Sequence, residues 1–146
     1  MAPRCTRAVP AIVIAGMSTA WLRDVSILAG GATGALARAA VAEVLPHAPG
    51  TWPWATLSVN LVGALLLAWL VTRLDELVAP TRYWRFLLGT GLCGALTTFS
   101  TFQVETIGLA RDGHAAMAVG YGVTSLGAGM AVAVAGTVVA RRRRYG

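Results

Sequence analysis

Four apolar stretches, each of about twenty residues or more, limit this chain more than any other feature in it. A helix crossing the hydrocarbon core of a bilayer needs about 20 mostly apolar residues. The first stretch runs from about Val25 to Val44 and carries Arg38 and Glu43 near its far end. The second, "WATLSVNLVGALLLAWLVT" at 54–72, is the cleanest; at about 1.5 Å per residue it reaches roughly 28 Å. The third spans about Trp84 to Leu109, and the fourth, rich in Ala, Val and Gly, about Ala115 to Ala140. Composition agrees. Hydrophobic residues make up 56% of the 146 positions and charged residues only 12%, against about 25% charged in soluble domains. The chain reads as an all-α membrane protein with one small domain.

The connections suit that reading. "PHAPGTWP" (46–53) holds prolines and a glycine, the chemistry of a turn. "RLDELVAPTRY" (73–83) is charged, and "RDGH" (111–114) is a short polar turn. Residues 1–22 form an N-terminal extension, 23–140 the four-helix membrane unit and 141–146 a basic tail. In the extension, Arg4 and Arg7 precede "AVPAIVIAGMSTAW", a pattern like a signal-peptide n-region and h-region. Met17 offers a second reading, as the start of the chain. Cys5 and Cys93 are too far apart in sequence and setting to suggest a disulfide framework or a metal site. His47 and His114 are isolated loop residues.

All twelve basic residues are arginine. They lie between apolar runs and in "RRRR" at 141–144, rather than in a stripe on a folded surface, which argues against a nucleic-acid partner. With four spans, Arg4, Arg7, Arg23, Arg73, Arg82, Arg85 and Arg141 to Arg144 share one side, and only Arg38 and Arg111 the other. Positive charge favours the cytoplasmic side, so both termini are expected there, in a multi-pass protein of the plasma (inner) membrane.

Polar groups at membrane depth are costly and mark pathways or helix contacts. Asn60 in the second span suits either an interhelical hydrogen bond or a pore. In the fourth, Tyr121 and Ser125 share a face, with Thr124 beside them. Their hydroxyls can bond back to the preceding turn or line a polar track. The third span is the most unusual. "GLCGALTTFSTF" (91–102) combines glycines with the pair Thr97–Thr98, all poor helix formers. A broken helix frees backbone groups, which a membrane tolerates only beside protein or a cavity. Freed carbonyls suit a hard cation such as Na⁺; freed N–H groups and hydroxyls suit an anion. Phe99 and Phe102, three apart, share a face. Their positive ring edges would receive a small anion without the grip of a fixed charge, and conduction needs binding that is favourable but not too tight. A chain this small can hardly enclose a pathway alone, so an oligomer is expected.

The residues that carry this reading resemble the Fluc (CrcB-type) fluoride channels over about residues 25–140. "GGATGALAR" (30–38), "TLSVNLVG" (56–63), "GTGLCGALTTFSTFQVE" (89–105) and Tyr121 with Ser125 occur in order. The resemblance implies passive fluoride export through an antiparallel dimer with two pores, each lined by both subunits. It implies that Asn60, Thr98 and Ser125 help coordinate fluoride, with Tyr121 and Thr124 in the polar track and Phe99 and Phe102 as paired ring edges. It implies a structural Na⁺ held by the backbone carbonyls of Gly94 and Thr97 from both subunits. Arg38 would add positive potential near a pore mouth, and Glu105 would follow the motif at the helix end. The chain departs from the family pattern at Ala95, Gly129 and Ala39, where a glycine, a hydroxyl residue and a tyrosine are common. The ten-to-two arginine bias suggests one fixed orientation, and hence a heterodimer with an oppositely oriented paralogue as well as the homodimer. A small multidrug-type transporter is the first alternative; it needs a membrane-embedded carboxylate, for which Glu43 and Glu105 look poorly placed. A non-transporting scaffold is the second. No nucleophile–base constellation points to an enzyme.

Overall fold

The computed structural model describes the backbone of residues 10–74 and 82–142, and the side chains of 20–74 and 83–142. Arg4, Cys5 and Arg7, the loop residues 75–81 with Pro80, and Arg143 and Arg144 lie outside the described residues. The described residues are helical apart from short connections and an interruption at Thr97 and Thr98, with no strand among the described residues.

Helix α1, Pro10–Val44, passes from the N-terminal extension into the first span without interruption. It stops just before Pro46, whose ring disfavours helical geometry in the residue ahead of it. Helix α2, Trp54–Leu74, starts directly after Pro53, whose carbonyl accepts the Leu57 N–H at 3.2 Å. Helix α6, Ala115–Arg142, forms the last span after a turn in which Gly113 takes φ +86°. The stretches Ala20–Val44, Trp54–Leu74 and Ala115–Arg142 are each long and apolar enough to cross a membrane. The third apolar segment is not one continuous α-helix. It consists of α3 (Arg82–Trp84), a π-helix (Arg85–Cys93), α4 (Gly94–Leu96) and α5 (Phe99–Arg111). A π-helix is wider than an α-helix, rare, and frequent at functional sites.

Packing follows the small residues. Helix α1 lies along the π-helix and α4, α2 lies along α6, and α5 packs on α6. At the α1 crossing, a Cβ on Gly30 would overlap the Leu87 carbonyl oxygen and one on Gly34 the Leu92 carbonyl oxygen. Backbone meets backbone there. In lipid, where apolar attraction between helices is weak, such close approach is what holds helices together.

The buried centre is small: Leu57, Leu109, Ala118 and Tyr121, with Trp52, Leu61, Phe102 and Met117 packed around them. Most large apolar side chains point outward. Along α6, Val119, Val123, Leu126, Met130 and Val134 are each more than 60% exposed. A surface this apolar is suited to lipid or to a protein partner, not to water.

Candidate functional site

In an α-helix each N–H bonds the carbonyl four residues back. Beyond the π-helix, two residues of the third segment leave helical geometry altogether. Thr97 (φ −78°, ψ 151°) and Thr98 (φ −146°, ψ 118°) are extended, and helical order resumes at Phe99. Buried backbone groups left without partners are costly, so the residues around this interruption are best read by what satisfies each group.

Helix α4 closes on itself first: the Thr97 N–H and hydroxyl both donate to the Cys93 carbonyl, at 3.1 and 2.9 Å. The Thr98 N–H would next bond the Gly94 carbonyl. It donates instead to Asn60 Oδ1 at 2.8 Å, while Asn60 Nδ2 donates to the Thr98 carbonyl at 3.1 Å. Asn60 thus takes the place of a paired strand for one residue. The Ala95 carbonyl would have served Phe99; it accepts Arg38 Nε at 3.1 Å. On the far side Thr98 is the N-cap of α5. Its hydroxyl oxygen accepts the Thr101 N–H at 3.2 Å and donates to Thr101 Oγ1 at 2.9 Å. A cap of this kind contributes about 1 kcal/mol. Gly63 of α2 admits the arrangement, because a Cβ there would overlap Thr97 Cγ2.

The expected site residues therefore fall into two groups. Asn60, Thr97, Thr98, Gly94 and Arg38 meet at the interruption. Asn60 retains one of its two amide hydrogens for another acceptor. Arg38 reaches the interruption itself, through the Ala95 carbonyl. Gly94 is exposed, with open space where a side chain would stand, and its carbonyl is relieved of the Thr98 N–H. Asn60, Thr97, Thr98 and Phe99 line an open recess of about 260 Å³, and Arg38, Thr56, Thr98 and Thr101 border a smaller cavity of about 60 Å³. Either has room for a water or a small ion.

The second group is aromatic. Phe99 and Phe102 lie 5.8 Å apart between ring centroids and are near parallel, at 27°. Phe102 meets Tyr121 at 5.1 Å. Phe99 is 70% exposed, whereas Tyr121 is wholly buried. Ser125 Oγ is buried with no hydrogen-bond partner, and Thr124 is exposed on the adjoining face.

The structure moves one expectation. Glu105 lies midway along α5, not at its end. Its carboxylate accepts Thr56 Oγ1 at 2.7 Å and the Tyr121 hydroxyl at 2.9 Å, tying α2, α5 and α6 together. Sequence reasoning assigned no role to Thr56, although it stands four residues before Asn60 and so on the same face of α2. It also read Trp52 only as part of a turn. Among the described residues no group of three or more His, Cys, Asp or Glu is placed to hold a metal. The oxygens on offer at the interruption are backbone carbonyls and hydroxyls, a set suited to a hard cation.

Comparison with known proteins bears on what the site does. Residues 25–137 match the family described as CrcB-like protein, Camphor Resistance (CrcB). The chain is 50% identical over 119 residues to the Fluoride-specific ion channel FluC 1 of Mycobacterium bovis, covering 82% of this chain and 90% of the relative. It is 47% identical over 119 residues to the protein of the same name from Mycolicibacterium paratuberculosis, again covering 82% and 90%. Over 115 residues it is 42% identical to the Fluoride-specific ion channel FluC of Chlorobaculum tepidum, covering 77% of this chain and 90% of the relative.

Proposed function

The chain belongs to the CrcB-like family, and from that premise we propose that it is a fluoride-selective channel that lets fluoride leave the cell passively. The observation that carries the reading is the 50% identity, over most of both chains, to a protein named as a fluoride-specific ion channel. The relatives are named as channels and not as enzymes, and the helices have the length and apolarity of a multi-pass membrane protein.

The geometry supports the same reading. Fluoride is small and strongly hydrated, so a path for it must offer many weak donors in sequence rather than one tight cation. The ring edges of Phe99 and Phe102, the remaining amide hydrogen of Asn60, the Ser125 hydroxyl and the exposed Thr124 are donors of that kind. Thr98 contributes by position, since its hydroxyl proton is directed to Thr101. Arg38 supplies positive potential from the interruption in the third helix. The exposure of Phe99 and of the apolar face of α6 supports a second subunit against this face. An antiparallel dimer would complete each path with residues from both chains, as a homodimer or with an oppositely oriented paralogue.

The freed carbonyl of Gly94, with that of Thr97, is suited to a structural Na⁺ shared across such a dimer. Bound there, the ion would neutralise converging carbonyl dipoles. The chain's own part is to keep the carbonyls available, which Asn60 does by withholding the Thr98 N–H from Gly94.

The test is ion efflux from liposomes holding the purified chain. Rapid fluoride release without chloride release is the expected result; equal release of both anions, or of neither with a paralogue also present, overturns the proposal. Strong efflux from this chain alone would rule out an obligate heterodimer. The arginine distribution favours both termini on the cytoplasmic side; a C-terminal reporter active only in the periplasm should stay silent.

A further inference from the structure

Two side-chain polar atoms are buried without a hydrogen-bond partner among the described residues: Ser125 Oγ and Trp52 Nε1. Such orphans are rare in folded proteins and ask for a missing water, ion or partner. Ser125 already belongs to the proposed fluoride path. Trp52 does not, and its surroundings connect it to that path. Its ring meets Tyr121 edge to face, with centroids 5.7 Å apart and planes at 80°. Its outer carbons stand 3.8 Å from where a Cβ on Gly120 would be. It packs, as Phe102 does, against the buried cluster that contains Tyr121. Tyr121 and Ser125 share a face of α6, one turn apart. The two orphaned groups therefore flank Tyr121, with Ser125 one turn further along α6 and Trp52 in the 46–53 loop.

The chemistry of the group narrows what it can hold. An indole N–H donates and cannot accept, so it serves a water or an anion and never a cation. The Tyr121 hydroxyl proton is directed to Glu105 at 2.9 Å, which leaves Trp52 as the donor not engaged within the chain at this point. We propose that the Trp52 indole N–H is a fluoride-binding group, the last donor of the polar track, where the track reaches the 46–53 loop. The inference rests on the fluoride-channel reading. The Glu105 carboxylate, hydrogen-bonded by Thr56 and Tyr121, opposes a long stay of an anion nearby. The site is consequently weak and transient, as a conducting path requires.

The experiment follows the indole proton directly. The full chain, labelled with ¹⁵N at its tryptophan indoles, is titrated with sodium fluoride, sodium chloride and sodium gluconate, and the Trp52 signal is assigned by its loss in Trp52→Phe. The expected result is a Trp52 signal that moves with fluoride and holds still in the other salts. Trp52→Phe keeps an aromatic ring and removes the donor; its fluoride efflux should fall about threefold to tenfold, the scale of one hydrogen bond, with an unchanged elution volume. A Trp52 signal indifferent to fluoride in a chain that conducts fluoride overturns this inference and leaves the channel reading standing, whatever Trp52→Phe does. A wild-type chain that carries no fluoride, alone or with a paralogue, overturns both.

Discussion

Replacing Asn60 by Asp tests whether the Asn60–Thr98 pairing holds the third segment open. The side chains are nearly the same size, so packing is preserved and only hydrogen bonding changes. Oδ1 can still accept the Thr98 N–H, which stands 2.8 Å from the Asn60 oxygen. The Nδ2 donor is replaced by an oxygen facing the Thr98 carbonyl across 3.1 Å. One hydrogen bond is lost, at about 0.5–1.5 kcal/mol, and a half-buried carbonyl is left without its donor, at about 1–3 kcal/mol. The two facing oxygens repel unless the carboxyl takes up a proton. A total of about 1.5–4.5 kcal/mol corresponds to roughly a 10-fold to 2000-fold change in the population of the open arrangement. The alternative it favours is specific. With only half of its clasp left, the Thr98 N–H can return to the Gly94 carbonyl and carry the helix through, which occupies the oxygen proposed for Na⁺. Fluoride efflux from liposomes and thermal melting in detergent, with and without sodium, measure the two consequences. Efflux should fall at least tenfold, and the protection by sodium should shrink. Wild-type efflux and an unchanged sodium response in Asn60→Asp would refute the argument that this pairing maintains the site.

Three further outcomes are expected. Phe99→Ile should abolish most fluoride efflux while leaving the elution volume on size exclusion unchanged, because Phe99 is 70% exposed and adds little to the fold of one chain; retained efflux would remove the rings from the path. Arg38→Ala leaves the Ala95 carbonyl without its donor and should lower stability by about 1–3 kcal/mol, read as a fall in melting temperature, with partial recovery in Arg38→Lys. Gly30→Ala drives a methyl into the Leu87 carbonyl; overpacking of this kind costs about 1–3 kcal/mol or more, and the yield of folded protein should drop sharply, whereas Gly31→Ala, with open space around it, should be tolerated.

Much of the architecture was legible before any coordinates. Apolar length alone located the three continuous spans, because a bilayer imposes its thickness on every helix that crosses it. The proline-rich 46–53 segment ended α1 and started α2 for reasons local to the chain. The low helix propensity of "GALTT" marked where the third segment departs from helix, and Thr97 and Thr98 are the extended residues. The π-helix at Arg85–Cys93 left no comparable mark, since Gly89 and Gly91 read equally well as packing glycines. Glu105 was misplaced because the end of α5 is set by the turn at Asp112 and Gly113, not by the motif.

What the chain settled by itself is where it can cross a membrane and where its helix must weaken. Both follow from properties summed over neighbours in sequence, transfer free energy in one case and backbone propensity in the other. What only the folded structure decided is how the weak point is made stable. Asn60 stands 38 residues before Thr98, Arg38 57 before Ala95, and Thr56 49 before Glu105. Hydrogen bonds are directional and act over about 3 Å, so no pattern along the chain can assign these partners. The crossing of α1 and α2 against the third segment assigns them, and the glycines at 30, 34 and 63 let the backbones come close enough for it.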